Sequence, residues 1–358
     1  MVKITSVQCI VYIRPSVVDT LLLVKHISNM LLSVQDLAID LKRGASRHRL
    51  VSNASWELDA GETLAVVGES GSGKSLTALA VMGLLADELI PSAGKVLFNN
   101  QDLLQASDEQ LRRLRGAEIA MVFQEPMTSL NPVKTIGFQL CEGMQLHLKL
   151  TRNDATSRAL ELLAQVGISD AERRLNQYPH QLSGGMRQRI MIAIALACKP
   201  KLILADEPTT ALDVTIQAQI LTLLSRLCSE NGVGLVLITH NLGIVARHAK
   251  RVVVMYGGRV VEQADTRTLY SQPRHPYTQG LMQSIPRMDS DRDQELQPIS
   301  GTPPDPFDVI NGCRFNPRCK YATDQCRQES PTMIVEQTHT VACWHWQDLR
   351  RTHKVVRH

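Results

Sequence analysis

With 358 residues the chain is long enough for one large domain or two smaller ones around an ample apolar core. A formal charge of only +4, scattered basic residues and 4% aromatic content give no argument for nucleic acid, since they form neither a basic surface nor a stacking series. No apolar run approaches the ~18 residues that cross a bilayer. The longest, Ile190 to Cys198, has nine. Arg14, Pro15 and Asp19 interrupt the apolar N-terminus, so it does not read as a signal peptide, and a cytoplasmic chain is expected.

Residues 1–29 show neither helical nor strand period and read as an extension the fold can dispense with, the alternative being a peripheral helix around Thr20 to Met30. From Met30 the pattern becomes orderly. Leu31 to Leu41 and Val51 to Leu58 alternate as strands do, and Thr63 to Val67 is a short buried strand. Gly68-Glu69-Ser70-Gly71-Ser72-Gly73-Lys74-Ser75 follows, and Leu76 to Leu85 is a Leu- and Ala-rich helix. A glycine-rich G-x-x-x-x-G-K-[ST] loop between strand and helix cradles nucleotide phosphates. Its backbone N–H groups and the positive helix end face the anion, Lys74 reaches the terminal phosphates, and Ser75 offers its hydroxyl to Mg²⁺.

Lys95 to Phe98 and Ile119 to Phe123 read as further strands, the second ending at Gln124, before a loop containing Pro126 and Pro132. Helical spacing runs from Ile136 to about Val166, with Gly167 as its stop. Leu182-Ser183-Gly184-Gly185-Met186 opens a strongly apolar helix over 190–197. Lys201 to Ala205 is a buried strand ending at Asp206-Glu207, Gln217 to Leu227 is helical, and Gly234 to Ile238 is a strand ending at Thr239-His240. Arg251 to Met255 and Arg259 to Glu262 form a hairpin around Tyr256-Gly257-Gly258. The P-loop, Asp206-Glu207 and His240 thus all follow strands, and ligands of open α/β sheets bind at the carboxyl ends of strands. Beyond about residue 265 prolines break the periodicity, and Arg287 to Glu295 is charged and solvated.

Asp206, after four apolar residues, suits a carboxylate holding Mg²⁺ through its water shell, and Glu207 can polarise the attacking water. Gln124 suits the γ-phosphate and Mg²⁺, and His240 a sensor of phosphate and water. With these residues in place the chain resembles the ATP-binding subunits of ABC transporters over about 31–265. Leu182-Ser183-Gly184-Gly185 matches the family's signature motif, Gln124 its Q-loop, Ala211-Leu212-Asp213 its D-loop and His240 its switch histidine. The resemblance implies an α/β P-loop NTPase core with a helical subdomain over about 125–185, followed by a small irregular C-terminal cysteine-rich region. It also implies a head-to-tail dimer that sandwiches two ATP, with Ser183, Gly184 and Gly185 of one subunit facing the P-loop of the other. Where the family stacks an aromatic residue on adenine, this chain aligns His48.

His275-Pro276-Tyr277-Thr278 is similar to a motif of the dipeptide/oligopeptide and nickel importer subfamily, and within it the chain resembles the dipeptide and oligopeptide D subunits. Residues 124–132 and 179–186 support this placement. Four of eight cysteines crowd into the last 46 residues with the spacing C-x5-C-x6-C-x16-C: Cys313, Cys319, Cys326 and Cys343. Spacing alone allows a zinc site or an iron–sulfur cluster. The subfamily resemblance implies a [4Fe-4S] cluster at 266–358. It also implies two transmembrane permeases, a second and usually different ATPase subunit, an extracytoplasmic peptide-binding protein, and a place on the cytoplasmic face of the inner membrane. Nickel or antimicrobial-peptide uptake, and a soluble ABC ATPase, are the alternatives.

Overall fold

The structure, a computed structural model, describes residues 29–209, 213–284, 299–308 and 310–352. The expectations for residues 1–28, for Ala211-Leu212 of the D-loop and for the charged stretch 287–295 lie outside the described residues.

The chain opens with β1 (Met30–Arg43), β2 (Ser46–Asp59), β3 (Thr63–Val67), α1 (Lys74–Met82), β4 (Leu89–Phe98) and β5 (Gln101–Asp102). Next come α2 (Asp108–Leu114), β6 (Ile119–Val122), α3 (Pro126–Ser129), α4 (Ile136–His147), α5 (Arg152–Gln165), α6 (Ala171–Leu175) and α7 (Gly184–Leu196). They are followed by β7 (Leu202–Asp206), α8 (Val214–Glu230), β8 (Gly234–Thr239), α9 (Leu242–His248), β9 (Arg251–Tyr256) and β10 (Arg259–Asp265). The C-terminal segment contributes α10 (Thr266–Ser271), α11 (Pro276–Gln283), α12 (Asp324–Gln328), β11 (Ile334–Glu336), β12 (His339–Val341) and α13 (Trp346–Thr352).

Two sheets result. The smaller is antiparallel, in the order β2-β1-β4-β5. The larger runs β11-β12-β10-β9-β3-β8-β7-β6, parallel from β9 to β6 and antiparallel at its β10 edge. Every residue of β7 and β8 is buried, which explains their unbroken apolar sequences: both faces of a parallel sheet are covered. One core packs α4, α5, α7 and α8 against β6, β7 and β8. A second fills the space between the sheets, with Leu37, Trp56 and Phe98 meeting Val66, Val236 and Val253. A third joins the main sheet to the C-terminal segment through Tyr256, Tyr277 and Phe315.

The single helical stretch expected over 136–166 is two helices. Leu148 ends α4, Lys149 takes a left-handed φ of 58°, and the Thr151 hydroxyl accepts from Asp154 N–H to start α5. β4 begins at Leu89, well before the expected Lys95, because β1 pairs with this exposed stretch (Leu41 opposite Leu89, Ile39 opposite Pro91). The segment after 265 is more than an irregular appendage: Val341 and Thr340 of β12 pair with Glu262 and Gln263 of β10, extending the larger sheet by two strands.

Candidate nucleotide site

The register of the larger sheet decides what meets what. Val67 lies opposite Thr239 and Val254, Asp206 opposite Ile238, and Val122 opposite Ala205. The P-loop, the Asp206-Glu207 pair, Gln124 and His240 therefore leave the sheet on one edge, although more than 170 residues of sequence separate first from last.

Within the P-loop, Lys74 Nζ donates to the carbonyls of Gly68 (2.8 Å) and Glu69 (2.9 Å) and lies 3.4 Å from Ser72 Oγ. Burial holds the Lys74 pKa below its ordinary value, although the charges of Glu207, Asp206 and Glu69 oppose the shift. Gly68 admits no side chain: its φ is +154°, and an added Cβ would stand 2.2 Å from the Met255 carbonyl oxygen.

Ser75 Oγ donates to Asp206 Oδ1 at 2.9 Å, so the two oxygens expected at Mg²⁺ are already neighbours. Burial raises the Asp206 carboxyl, as does the charge of Glu207, while the Ser75 hydrogen bond pulls it back. A divalent cation there would offset the cost of that buried charge, and serine hydroxyl plus carboxylate is the hard oxygen set Mg²⁺ prefers. Glu207 takes a left-handed φ of 44°, with its N–H donating to Ile238 O at 3.0 Å. Its Oε2 lies 3.2 Å from His240 Nδ1 and 3.4 Å from Gln124 Nε2. Three strand ends thus converge on one carboxylate oxygen, and a carboxylate held in this way has the chemistry to orient a water molecule.

A cleft with about 670 Å³ of empty space adjoins the loop, lined by Gly71, Gly73, Lys74, Ser75 and Leu76. Its other wall is Arg49 and Leu50 of β2 together with Gly257, Pro304–Pro306 and Arg314. His48 is not part of that wall; its ring meets Phe307 edge-on, centroids 5.0 Å apart. Arg49 and Leu50 directly follow His48 in the stretch aligned with the adenine contact, whereas no local sequence pattern marks Pro304, Pro306 and Arg314.

Ser183 caps α7, its Oγ accepting from Met186 N–H at 3.4 Å, so Gly184 and Gly185 form the first helical turn. None of the three lines the cleft of its own chain. Asp213 caps α8, accepting from Ile216 N–H at 2.9 Å, while Gln217 Nε2 donates to Thr209 O at 3.0 Å.

A family profile described as ABC transporter matches residues 51–210, and one described as oligopeptide/dipeptide transporter, C-terminal region, matches residues 261–326. The dipeptide transport ATP-binding protein DppD of Escherichia coli (strain K12) is 50% identical over 85% of this chain and 92% of its own. The chain belongs to the ABC transporter ATP-binding family. DppD of Bacillus subtilis (strain 168) is 48% identical over 91% of this chain and 97% of its own. A dimeric ATP-binding cassette, MJ0796, solved in a post-hydrolysis state with ADP and Pi, superposes with a TM-score of 0.60 at 29% identity, covering 66% of this chain and 99% of that one. As an ABC ATPase the chain uses ATP and Mg²⁺. No described helix is long and apolar enough to cross a membrane.

The His275-Pro276-Tyr277-Thr278 motif ties the C-terminal region to the sheet. His275 caps α11 through Nδ1, which accepts from Tyr277 N–H at 3.1 Å. The fully buried Glu262 of β10 accepts from the N–H groups of Arg274 (2.7 Å) and His275 (3.0 Å) and meets His339 Nε2 at 2.7 Å. Cys313, Cys319, Cys326 and Cys343 line one recess beside His275, Phe315 and His345. Burial pushes the Cys313 thiol up to about 11 and that of Cys343 up to about 12. Among the described residues no three His, Cys, Asp or Glu side chains are gathered closely enough to hold a metal ion.

Proposed function

We propose that this chain is the energy-coupling ATPase of an importer for dipeptides or oligopeptides. The observation that carries the reading is the meeting of Glu207, His240 and Gln124 beside the P-loop, in a chain that also bears the oligopeptide/dipeptide transporter C-terminal region. The P-loop residues 68–75 hold the phosphates, with Lys74 at the β and γ groups. Ser75 and Asp206, with Gln124, would hold Mg²⁺, which when bound neutralises charge developing on the phosphates. Glu207 accepts a proton from the attacking water, and His240 and Gln124 fix the orientation of that carboxylate. The adenosine end would lie along Arg49, Leu50, Pro304–Pro306 and Arg314, with His48 outside this wall and in contact with Phe307.

Ser183, Gly184 and Gly185, at the capped N-terminus of α7, stand outside the cleft of their own chain, which suits completion of a second subunit's site in a head-to-tail dimer. Asp213 lies at that interface. An open groove lined by Thr135, Gly137, Phe138, Cys141, Gln145 and Leu160 is the docking place for a permease segment, close in sequence to Gln124. ATP-driven closure would move two permeases from the cytoplasmic face, with a peptide-binding protein supplying cargo on the other side. We read 30–265 as the ATP-binding domain, 125–185 as its helical subdomain, 266–358 as the C-terminal region and 1–29 as dispensable.

The four cysteines are proposed to hold a [4Fe-4S] cluster. The four thiols line one recess, which supports a shared site, and the resemblance to the dipeptide and oligopeptide importer subfamily favours a cluster over zinc. Such a cluster, bound, would add a cross-link to the small apolar core of this segment, in which Val341, Cys343, Trp346 and Leu349 pack together. Gentle solubilisation and mass spectrometry of the native-level tagged chain test the importer reading. Two permeases and a second ATPase are expected; purely soluble partners would overturn it, and neighbouring cargo proteins would separate peptide from nickel uptake.

A further inference from the structure

Glu69 is the second residue of the P-loop, and the C-terminal region grips it from two directions. Its N–H donates to the Tyr277 hydroxyl at 2.8 Å, from a residue 208 positions later. Its carboxylate accepts a two-pronged bond from Arg318, Nη1 to Oε2 at 2.7 Å and Nη2 to Oε1 at 3.1 Å, across 249 positions. The Arg318 side chain is only 5% exposed, and all three of its nitrogens are engaged. Nη1 also reaches Tyr256 Oη (3.3 Å), Nη2 the Ile299 carbonyl (3.4 Å) and Nε the Ser300 carbonyl (3.0 Å). Behind it Tyr256, Tyr277 and Phe315 pack ring against ring, with centroids 4.6 to 5.5 Å apart. A guanidinium with this many fixed partners cannot be moved without disturbing what it holds.

The third side of Glu69 faces the phosphates: its carbonyl is one of the two that receive Lys74 Nζ. The chain of contacts therefore runs from the cysteine region, through Arg318 and Glu69, to the lysine that meets the terminal phosphates. Arg318 sits in the turn Asn316–Arg318, which Cys313 and Cys319 bracket: Asn316 N–H donates to Cys313 O and Cys319 N–H to Asn316 O. We infer that Arg318 and Tyr277 are positioning residues of the ATP site, which hold the P-loop in its phosphate-receiving shape and make nucleotide affinity depend on the integrity of the C-terminal cysteine region. The inference rests on reading residues 68–75 as the ATP site.

A loop already ordered before ATP arrives has less conformational freedom to lose on binding. Releasing Glu69 would return that freedom to the empty state. The β- and γ-phosphates, which the loop backbone encloses, would lose affinity, while contacts to the adenosine end would not.

The test measures ATP, ADP and AMP affinity by titration calorimetry on the full chain, with hydrogen exchange of the nucleotide-free protein. Arg318→Met is expected to raise the Kd for ATP and ADP about tenfold, the weight of one charge-assisted hydrogen bond, and to leave AMP nearly unchanged. Exchange should quicken in peptides over 68–73 and not in β7 or β8. Arg318→Lys keeps the charge and loses the fork, so it should fall between. Glu69→Gln combined with Arg318→Met should bind no worse than Arg318→Met alone. Equal ATP affinity in wild type and Arg318→Met would overturn the inference, as would exchange that rises equally throughout the sheet. Should Arg318→Met fail to fold, Tyr277→Phe removes a single hydroxyl and carries the same test: a Kd about threefold higher is expected, and an unchanged Kd would overturn it. A wild-type chain that binds no ATP would sink the nucleotide-site reading itself.

Discussion

Glu207→Gln should separate ATP binding from ATP hydrolysis. The substitution keeps the size of the side chain and leaves the backbone untouched, so the Glu207 N–H bond to Ile238 O and the left-handed φ of 44° persist. What is lost is one negative charge at the oxygen that faces both His240 Nδ1 and Gln124 Nε2. A glutamine cannot accept the proton of an attacking water, and removing a general base costs about 10²- to 10⁴-fold, or about 3 to 5 kcal/mol of transition-state stabilisation. Binding should not suffer. Burial and the Glu207 charge both raise the Asp206 carboxyl, so neutralising residue 207 favours the ionised Asp206 that Mg²⁺ needs. The assay pairs steady-state phosphate release with ATP affinity and with gel filtration in ATP·Mg²⁺, alone and with any ATPase subunit that co-purifies. Turnover down at least about a hundredfold, affinity equal or tighter, and a persistent ATP-bound dimer are expected. Turnover within a factor of a few of wild type, in protein that still binds ATP, would refute the assignment of Glu207 as base.

Gly68→Ala should abolish ATP binding and lower the melting temperature, since its Cβ would stand 2.2 Å from a backbone oxygen that cannot move away. Glu62 pairs with Arg251, Oε1 to Nε at 2.7 Å, and also accepts from Asp59 N–H. Burial alone would raise its carboxyl, but these bonds win and hold it below its ordinary 4.5. That stabilisation is present above pH 4.5 and is lost as the pH falls through the lower folded-state value. Glu62→Gln should therefore cost about 2 kcal/mol at pH 7 and flatten the acid limb of a urea-melt series. A chain beginning at Met30, the first residue of β1, should melt within a few degrees of the full chain and bind ATP equally well, as measured by calorimetry. Cys326→Ser should remove most of the iron and sulfide from anaerobically purified protein; a wild-type preparation without either would end the cluster proposal.

Much of the nucleotide site was legible because its chemistry is written in contiguous residues. A phosphate loop needs glycines, a lysine and a hydroxyl at fixed offsets, and Gly68 to Ser75 supplies them in eight residues. Apolar runs such as Leu202 to Ala205 and Leu235 to Ile238 announce buried parallel strands, and their ends locate Asp206 and His240. The break at 148–151 was missed because the apolar period continues across it and only Thr151 marks the new start. The cleft wall illegible in the sequence is built by long-range contact: Pro304–Pro306 and Arg314 share a cleft with Lys74, more than 200 positions earlier, in a C-terminal region that the Glu262 hub ties to β10. His48 shows the same limit, since alternation along a strand places it near the site while the side chain of Phe307, far downstream, occupies its ring. Local chemistry requires particular residue types at particular spacings, and a sequence displays those directly. Which distant side chain completes a wall, or takes hold of Glu69, depends on sheet register and packing, and these were decided in the tertiary structure alone.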